Sequence, residues 1–385
     1  MRRAIVPGLL ALAGVLAWSP GRAATPDPAL FAFPGSFANP ASAISAGEAL
    51  ADRWLGDLPF DNPAFTAPRG LELSPVLLHG SRQDLRAANR NFSETTAFVE
   101  AAGGWIALPL GRAALFAYAH QPVLRREENA FTRGVLPVDP ANPPAAITSS
   151  TDAREIRAGG GISFGVSALR AGVAAEWTRR DDRYESEEQS GSPTAGTLTT
   201  TLSGDAVGMQ GGLRLDLGRS GSHPFTLGAG ARRVPALSLT GQDVFVPQVA
   251  GPTVTTDYGV SRDASWEGGV SARVGLAPAF ALVAGVGGRG AQDWSGLGVT
   301  SGAGTSWGVA GVYHDPEEDW TVRFGAGEDE QEGVPEPRAG VFSLGFGWSS
   351  GGTRLEAGAL RRAVEHGSGP TSYDDRFVAS VGVAF

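Results

Sequence analysis

The chain has 385 residues, including 55 Gly, 9 Trp, 18 Phe and no Cys; all 31 basic residues are Arg, and the formal net charge is −9. Without cysteine there is no disulfide framework, thiolate metal site or lipoprotein anchor, and the acidic balance leaves no basic footprint for nucleic acid. Beyond Ala23 no run of about 18 apolar residues occurs, so no helix is expected to span a membrane.

Residues 1–23 read as an export signal, with Arg2 and Arg3 ahead of an apolar stretch, Ala4 to Trp18, and a small-x-small site at Gly21-Arg22-Ala23. Residues 24–69 form a second unit, a leader or plug rich in proline. One helix is expected there, with Asn39 as N-cap, Pro40 at the first helical position and Ala41 to Leu55 following. Asn62-Pro63-Ala64 and Pro68 then break the chain.

Residues 70–385 read as strands. Extended runs fall near 70–80, 95–108, 112–125, 153–167, 169–180, 200–218, 224–240, 262–277, 279–291, 305–314, 320–329, 338–349, 353–364 and 375–385. That is about fourteen, an even number. Tight turns at Pro109-Leu110-Gly111, Ala168 and Ala277-Pro278 alternate with longer connections expected at 127–152, 181–198 and 242–261. Sorting of connections by parity is the pattern of an all-β, antiparallel transmembrane barrel, here with an N-terminal plug segment.

Side chains alternate accordingly. Leu169, Ala171, Val173, Ala175 and Trp177 share one face, while Arg170, Gly172, Glu176 and Thr178 share the other. An arginine on the lipid face at the midplane costs about 2–4 kcal/mol, so the charges are assigned to the lumen: Arg170, Glu176, Arg214, Asp216, Glu267, Arg273, Arg323, Arg354 and Glu356. Trp177, Trp266, Trp307, Trp320 and Trp348 fall at strand ends, where an aromatic girdle belongs. Trp105, Ile106, Phe116 and Tyr118 make both faces of the second and third strands apolar, as expected of strands that cover a plug or line a hydrophobic pocket.

Patterns that suggest chemistry have simpler readings. Gly285-Val286-Gly287-Gly288-Arg289-Gly290 matches a dinucleotide fingerprint, but no helix follows to take the pyrophosphate, and Ala291 to Gly296 reads as loop. His79, His120, His223, His314 and His366 lack metal-ligand spacing. His79-Gly80-Ser81 and His366-Gly367-Ser368 place His beside Ser in expected loops, the basis of a hydrolase alternative. Two acidic clusters, 315–319 and 328–332, lack a calcium-loop spacing. Arg179 to Arg183 reads as a self-neutralising loop or a contact to lipopolysaccharide phosphates. No cofactor is expected.

Two resemblances give these readings a family. The last run, Arg376 to Phe385, puts Phe377, Ala379, Val381, Val383 and Phe385 on one face. It resembles the C-terminal signature of bacterial outer-membrane barrels, which implies that Phe377 and Phe385 serve as the signal read by the barrel-assembly machinery. The segment Ala46-Gly47-Glu48-Ala49-Leu50-Ala51-Asp52, with Asp61-Asn62-Pro63-Ala64 after it, resembles the N-terminus of the FadL-like family of outer-membrane channels. That resemblance implies that Asn62, Pro63 and Ala64 are plug elements. It also implies passive uptake of small hydrophobic molecules, fatty-acid-like or aromatic, with exit through the barrel wall. The alternatives are a structural or secretion-accessory barrel and, further off, an outer-membrane hydrolase. The expected setting is the cell outer membrane, as a monomer among lipid and lipopolysaccharide.

Overall fold

The structure, a computed structural model, describes residues 50–65, 72–87, 90–133, 145–189, 196–218, 224–248, 251–295, 299–315, 319–331, 338–350, 352–365 and 372–384. The export signal, the Asn39 cap, Pro68, His223, His366 to Ser368 and Phe385 lie outside these residues. The regular elements within them are all strands. They are β1 (Glu72–Ala87), β2 (Arg90–Leu110), β3 (Ala113–Arg133), β4 (Ala145–Val166), β5 (Leu169–Gln189), β6 (Gly196–Leu217), β7 (Phe225–Val234), β8 (Leu237–Pro247) and β9 (Val254–Arg262). They continue as β10 (Ser265–Ala277), β11 (Phe280–Arg289), β12 (Gln292–Ser295), β13 (Val299–Ser301), β14 (Gly304–His314), β15 (Trp320–Gln331), β16 (Arg338–Ser350), β17 (Thr353–Glu365) and β18 (Ser372–Ala384).

All pairings are antiparallel, and the sheet closes on itself. Glu72 of β1 stands opposite Ala384 of β18 on one side and Ala107 of β2 on the other. A closed sheet satisfies every ladder group internally, which the interior of a bilayer demands. The strand count differs from the fourteen expected. β6 pairs both β7 and β8, β9 and β10 pair β8 and β7 in turn, and β12 and β13 pair each other above the β11–β14 pair. Four staves are thus each interrupted once, at 235–236, 263–264, 290–291 and 302–303, and the interruptions account for the difference. Pro235 has no N–H to give a ladder.

The expected long connections are also largely strand. β3 and β4 stay paired to Arg133 opposite Ala145, β5 and β6 to Glu187 opposite Thr197, and β8 and β9 to Phe245 opposite Val254. Polar residues on both faces read as loop in the sequence. Beyond a membrane, however, a hairpin needs no apolar face, and Thr and Ser sit well in a ladder. His79 and Ser81 likewise lie in β1, on either side of a bulge, and not in a loop. Gln292 to Ser295 is β12, where loop was expected.

The outer face carries the apolar half of the alternation. Val173, Leu213, Phe324 and Leu344 project outward and are exposed. Trp177, Trp266 and Trp307 lie toward the long-connection rim, and Trp320 stands opposite Trp348 near the short-turn end. No helix among the described residues is long and apolar enough to cross a membrane; the crossing elements are the strands.

Candidate functional site in the lumen

Leu50–Phe65 runs inside the barrel as a chain of turns, almost wholly buried. The end of the expected helix, Leu50 to Leu55, is therefore turn. Pro59 and Pro63 remove donors, and Gly56 sits at φ +80°, so no helical ladder continues. The segment's backbone is satisfied by the wall instead. Arg214 donates to the Leu55 and Gly56 carbonyls at 3.0 and 3.2 Å, Ser163 to Phe65 O at 3.2 Å, and Gln210 to Pro59 O at 3.3 Å. Arg232 donates to Phe60 O.

Asn62 is the knot of this segment. Its Nδ2 donates to Trp54 O at 2.6 Å and, on the wall beneath, to Ala229 O at 3.2 Å and Leu213 O at 3.3 Å. Its Oδ1 accepts from Ala64 N at 2.9 Å. The wall beneath is cut to fit. A Cβ on Gly212 would stand 1.8 Å from Asn62 Oδ1, one on Gly172 2.0 Å from Pro63 O, and one on Gly228 1.9 Å from Trp54 O. Nothing larger than glycine allows so close an approach. Pro63 and Ala64 are thus seated against β5 and β6.

The apolar inner face of β2 and β3 meets the segment's aromatics. Phe60 lies edge-on to Trp105 at 6.0 Å and stacks on His120 at 4.9 Å; Phe65 is edge-on to Phe116 at 5.1 Å. Phe60, Phe65, Trp105 and Phe116 belong to one buried cluster, so the second and third strands cover the inner segment.

Above it lies a belt of buried charge. Glu176 accepts from the Tyr118 hydroxyl at 2.8 Å and lies 3.4 Å from Arg232 Nε. Glu155 takes Arg157 at 2.7 Å and Arg262 at 3.0 Å. Glu267 takes Arg53 of the inner segment at 2.9 Å and Arg289 at 3.3 Å. Removing one member of such a buried pair costs about 3–5 kcal/mol. Arg180 pairs with Asp182 at 2.9 Å inside the barrel and lies over Trp294, while Arg179 pairs with Asp181 outside. The expected Arg179–Arg183 loop is thus strand, its charges paired two residues apart on each face.

The other assigned lumen charges also face inward. Arg214 bonds Asp216 at 3.0 Å and Asp57 at 2.7 Å, and Arg273 reaches Asp57 at 2.9 Å. Burial alone would push the Asp57 carboxyl up, but the Arg273 and Arg214 guanidiniums hold it well below the usual carboxylate range. Arg323 and Arg354 share Glu356 at 3.2 and 2.7 Å. Arg170 lies on the same inner face as Glu176, with its guanidinium beside Gly165. Phe377 projects outward into the apolar belt.

Of the residues that build this site, the sequence placed Tyr118 only among the apolar faces of the second and third strands and gave His120 and Arg289 no lumen role; Glu155, Arg157, Gln210, Arg232 and Arg262 went unmarked. The opposite charges two apart, Glu155 with Arg157 and Arg180 with Asp182, are the signal that marks one face of a strand. No group of three or more His, Asp or Glu able to hold a metal occurs among the described residues.

One seam in the wall lies beside this site. β2 and β3 pair only from Leu110 opposite Ala113 to Gly103 opposite His120, although β2 reaches back to Arg90 and β3 runs on to Arg133. β3 bulges at Gln121-Pro122, where proline has no N–H to give. The ladder ends where Phe60 stacks on His120.

Comparison with solved structures identifies the architecture. A FadL homologue of Pseudomonas aeruginosa superposes with a TM-score of 0.63 at 14% identity, over 91% of this chain and 99% of that one. The toluene transporter TodX of P. putida gives 0.59 at 14% identity, over 84% and 92%. The toluene transporter TbuX of Ralstonia pickettii gives 0.59 at 12%, over 92% and 100%. The chain therefore has the fold of the FadL-like outer-membrane barrels. No protein-family model and no curated protein sequence matches it.

Proposed function

We propose that this protein is an outer-membrane channel for passive uptake of small hydrophobic molecules, gated by Leu50–Phe65. The observation that carries the reading is the position of Phe60, stacked on His120 where the β2–β3 ladder stops. The segment fills the lumen beside the place where β2 and β3 part. A shift of Phe60 would join the lumen to the seam, and an apolar molecule would leave sideways into lipid. The FadL-type fold and the toluene transporters that share it support this reading. The outward apolar face and closed sheet support placement in the outer membrane.

The chain's lack of cysteine supplies the test. A Cβ on Gly308 would lie 2.8 Å from Leu50 Cβ, about 0.7 Å inside the ~3.5–4.5 Å of a disulfide, so a small shift of the segment's end lets the pair bond. In a Leu50→Cys, Gly308→Cys protein, oxidation should stop uptake of a hydrophobic fluorescent probe into proteoliposomes, and reduction should restore it. Equal uptake in both states would refute gating by this segment.

A further inference from the structure

At the short-turn mouth the inner segment is tied down by a carboxylate that solvent reaches. Asp57 Oδ1 accepts from Arg214 at 2.7 Å, and Oδ2 faces Arg273 at 2.9 Å. Each oxygen has its own guanidinium, an arrangement that suits any planar carboxylate. The Asp57 and Arg273 side chains are 28% and 27% exposed, whereas Glu176 and Glu267 above them are 1% and 5% exposed.

Arg214 does not depend on Asp57 for its position. Asp216 fixes Arg214 Nε at 3.0 Å and is itself fixed by the Thr226 hydroxyl at 3.0 Å. The left-handed turn at Gly56, where a Cβ would meet Ala64 O at 3.0 Å, presents Asp57 to the pair. Arg170, Arg323 and Arg354 also face inward near the short-turn end, with Asp216 and Glu356 as the counter-charges.

We propose that Arg214 and Arg273 form a carboxylate-binding site at the short-turn mouth, with Asp57 as its resident occupant. A free carboxylate entering there displaces Asp57 and loosens the inner segment. This inference rests on the reading that the segment moves.

The test uses the full chain carrying Leu58→Cys, a buried position on the segment, and a water-soluble thiol reagent. Acetate replaces chloride at constant ionic strength and neutral pH. Labelling should be slow in chloride and rise saturably, about tenfold, with acetate. Adding Asp57→Asn should give fast labelling that ignores acetate, and Arg273→Gln should abolish the acetate response. Retained heat-modifiable migration in gels shows that each variant keeps its barrel. The proposal is overturned if acetate acts no differently from chloride, or if the Asp57→Asn variant labels as slowly as its parent. If labelling answers to acetate while probe uptake does not follow, the site stands and the uptake reading fails.

Discussion

Tyr118 on β3 and Glu176 on β5 meet inside the barrel, the tyrosine hydroxyl donating to the carboxylate at 2.8 Å. The same hydroxyl accepts from Gln210 Nε2 at 2.7 Å, and Gln210 Oε1 accepts from Arg232 at 3.0 Å. Tyr118 therefore joins the aromatic pad beneath the inner segment to the charge belt above it. Tyr118→Phe keeps the ring packing and removes a donor to a buried charge, which should cost about 1.5–3 kcal/mol. Urea unfolding in lipid vesicles reads this loss. A change within about 0.5 kcal/mol would mean that Arg232, Arg157 and His120 satisfy Glu176 without the tyrosine.

The seat of the inner segment can be probed by adding one methyl group. Gly211 and Gly212 are neighbours on β6, yet a Cβ on Gly212 would collide with Asn62 at 1.8 Å, while one on Gly211 meets its nearest atom at 3.9 Å. Gly212→Ala should therefore unseat Asn62 and raise probe uptake, with Gly211→Ala unchanged. Equal uptake by the two variants would show that Asn62 does not hold the segment in place.

How much of this was legible follows from which physics each feature obeys. The period of two that put Val173 outside and Glu176 inside is local, and the sequence carries it residue by residue. The lumen charges were legible because an arginine cannot face lipid. The partners of those charges were not, since Arg53 reaches Glu267 across 214 residues of chain. Helix signals around Asn39 and Pro40 suggested regular structure as far as Leu55, but from Leu50 the chain turns, with Leu55 N donating to Asp52 O at 2.8 Å, and the carbonyls that follow, Leu55, Gly56 and Phe60, are taken by the wall's Arg214 and Arg232. Hairpins beyond the membrane read as loops because their alternation carries no apolar face. The seam between β2 and β3 had one sign in the sequence, Pro122, whose meaning depends on which strand lies beside it.

Asp57 sits on the inner segment, outside the spanning strands, and its lowered pKa, held down by Arg273 and Arg214 against the effect of burial, gives a pH signature. A carboxyl held below its unfolded value of about 3.9 contributes fully above that pH and loses its contribution as pH falls further. Seating of the segment, read by Leu58→Cys labelling, should not change between about pH 7 and 5 in the contribution from Asp57, and should weaken below about pH 4. The Asp57→Asn background should lack that low-pH step. A step of equal size in both backgrounds would assign it to another group.

Depth in the membrane separates two outward positions on one strand. Leu213 lies four residues from the short-turn end of β6 at Leu217, and Val207 lies ten. With about 3.3 Å per residue and a tilt of about 40°, Leu213 stands roughly 10 Å above that end, and Val207 roughly 25 Å. An apolar band about 25 Å tall would place the first near the midplane and the second at the rim. Both side chains are exposed outward, so neither substitution disturbs the lumen. Leu213→Arg should cost about 2–4 kcal/mol and Val207→Arg about 0–1 kcal/mol in vesicle unfolding. A larger loss at Val207 than at Leu213 would move the membrane band toward the long connections. The lower end of the β2–β3 seam, seven residues or roughly 18 Å above the short turn, would then lie near the midplane, and more of the seam would face lipid.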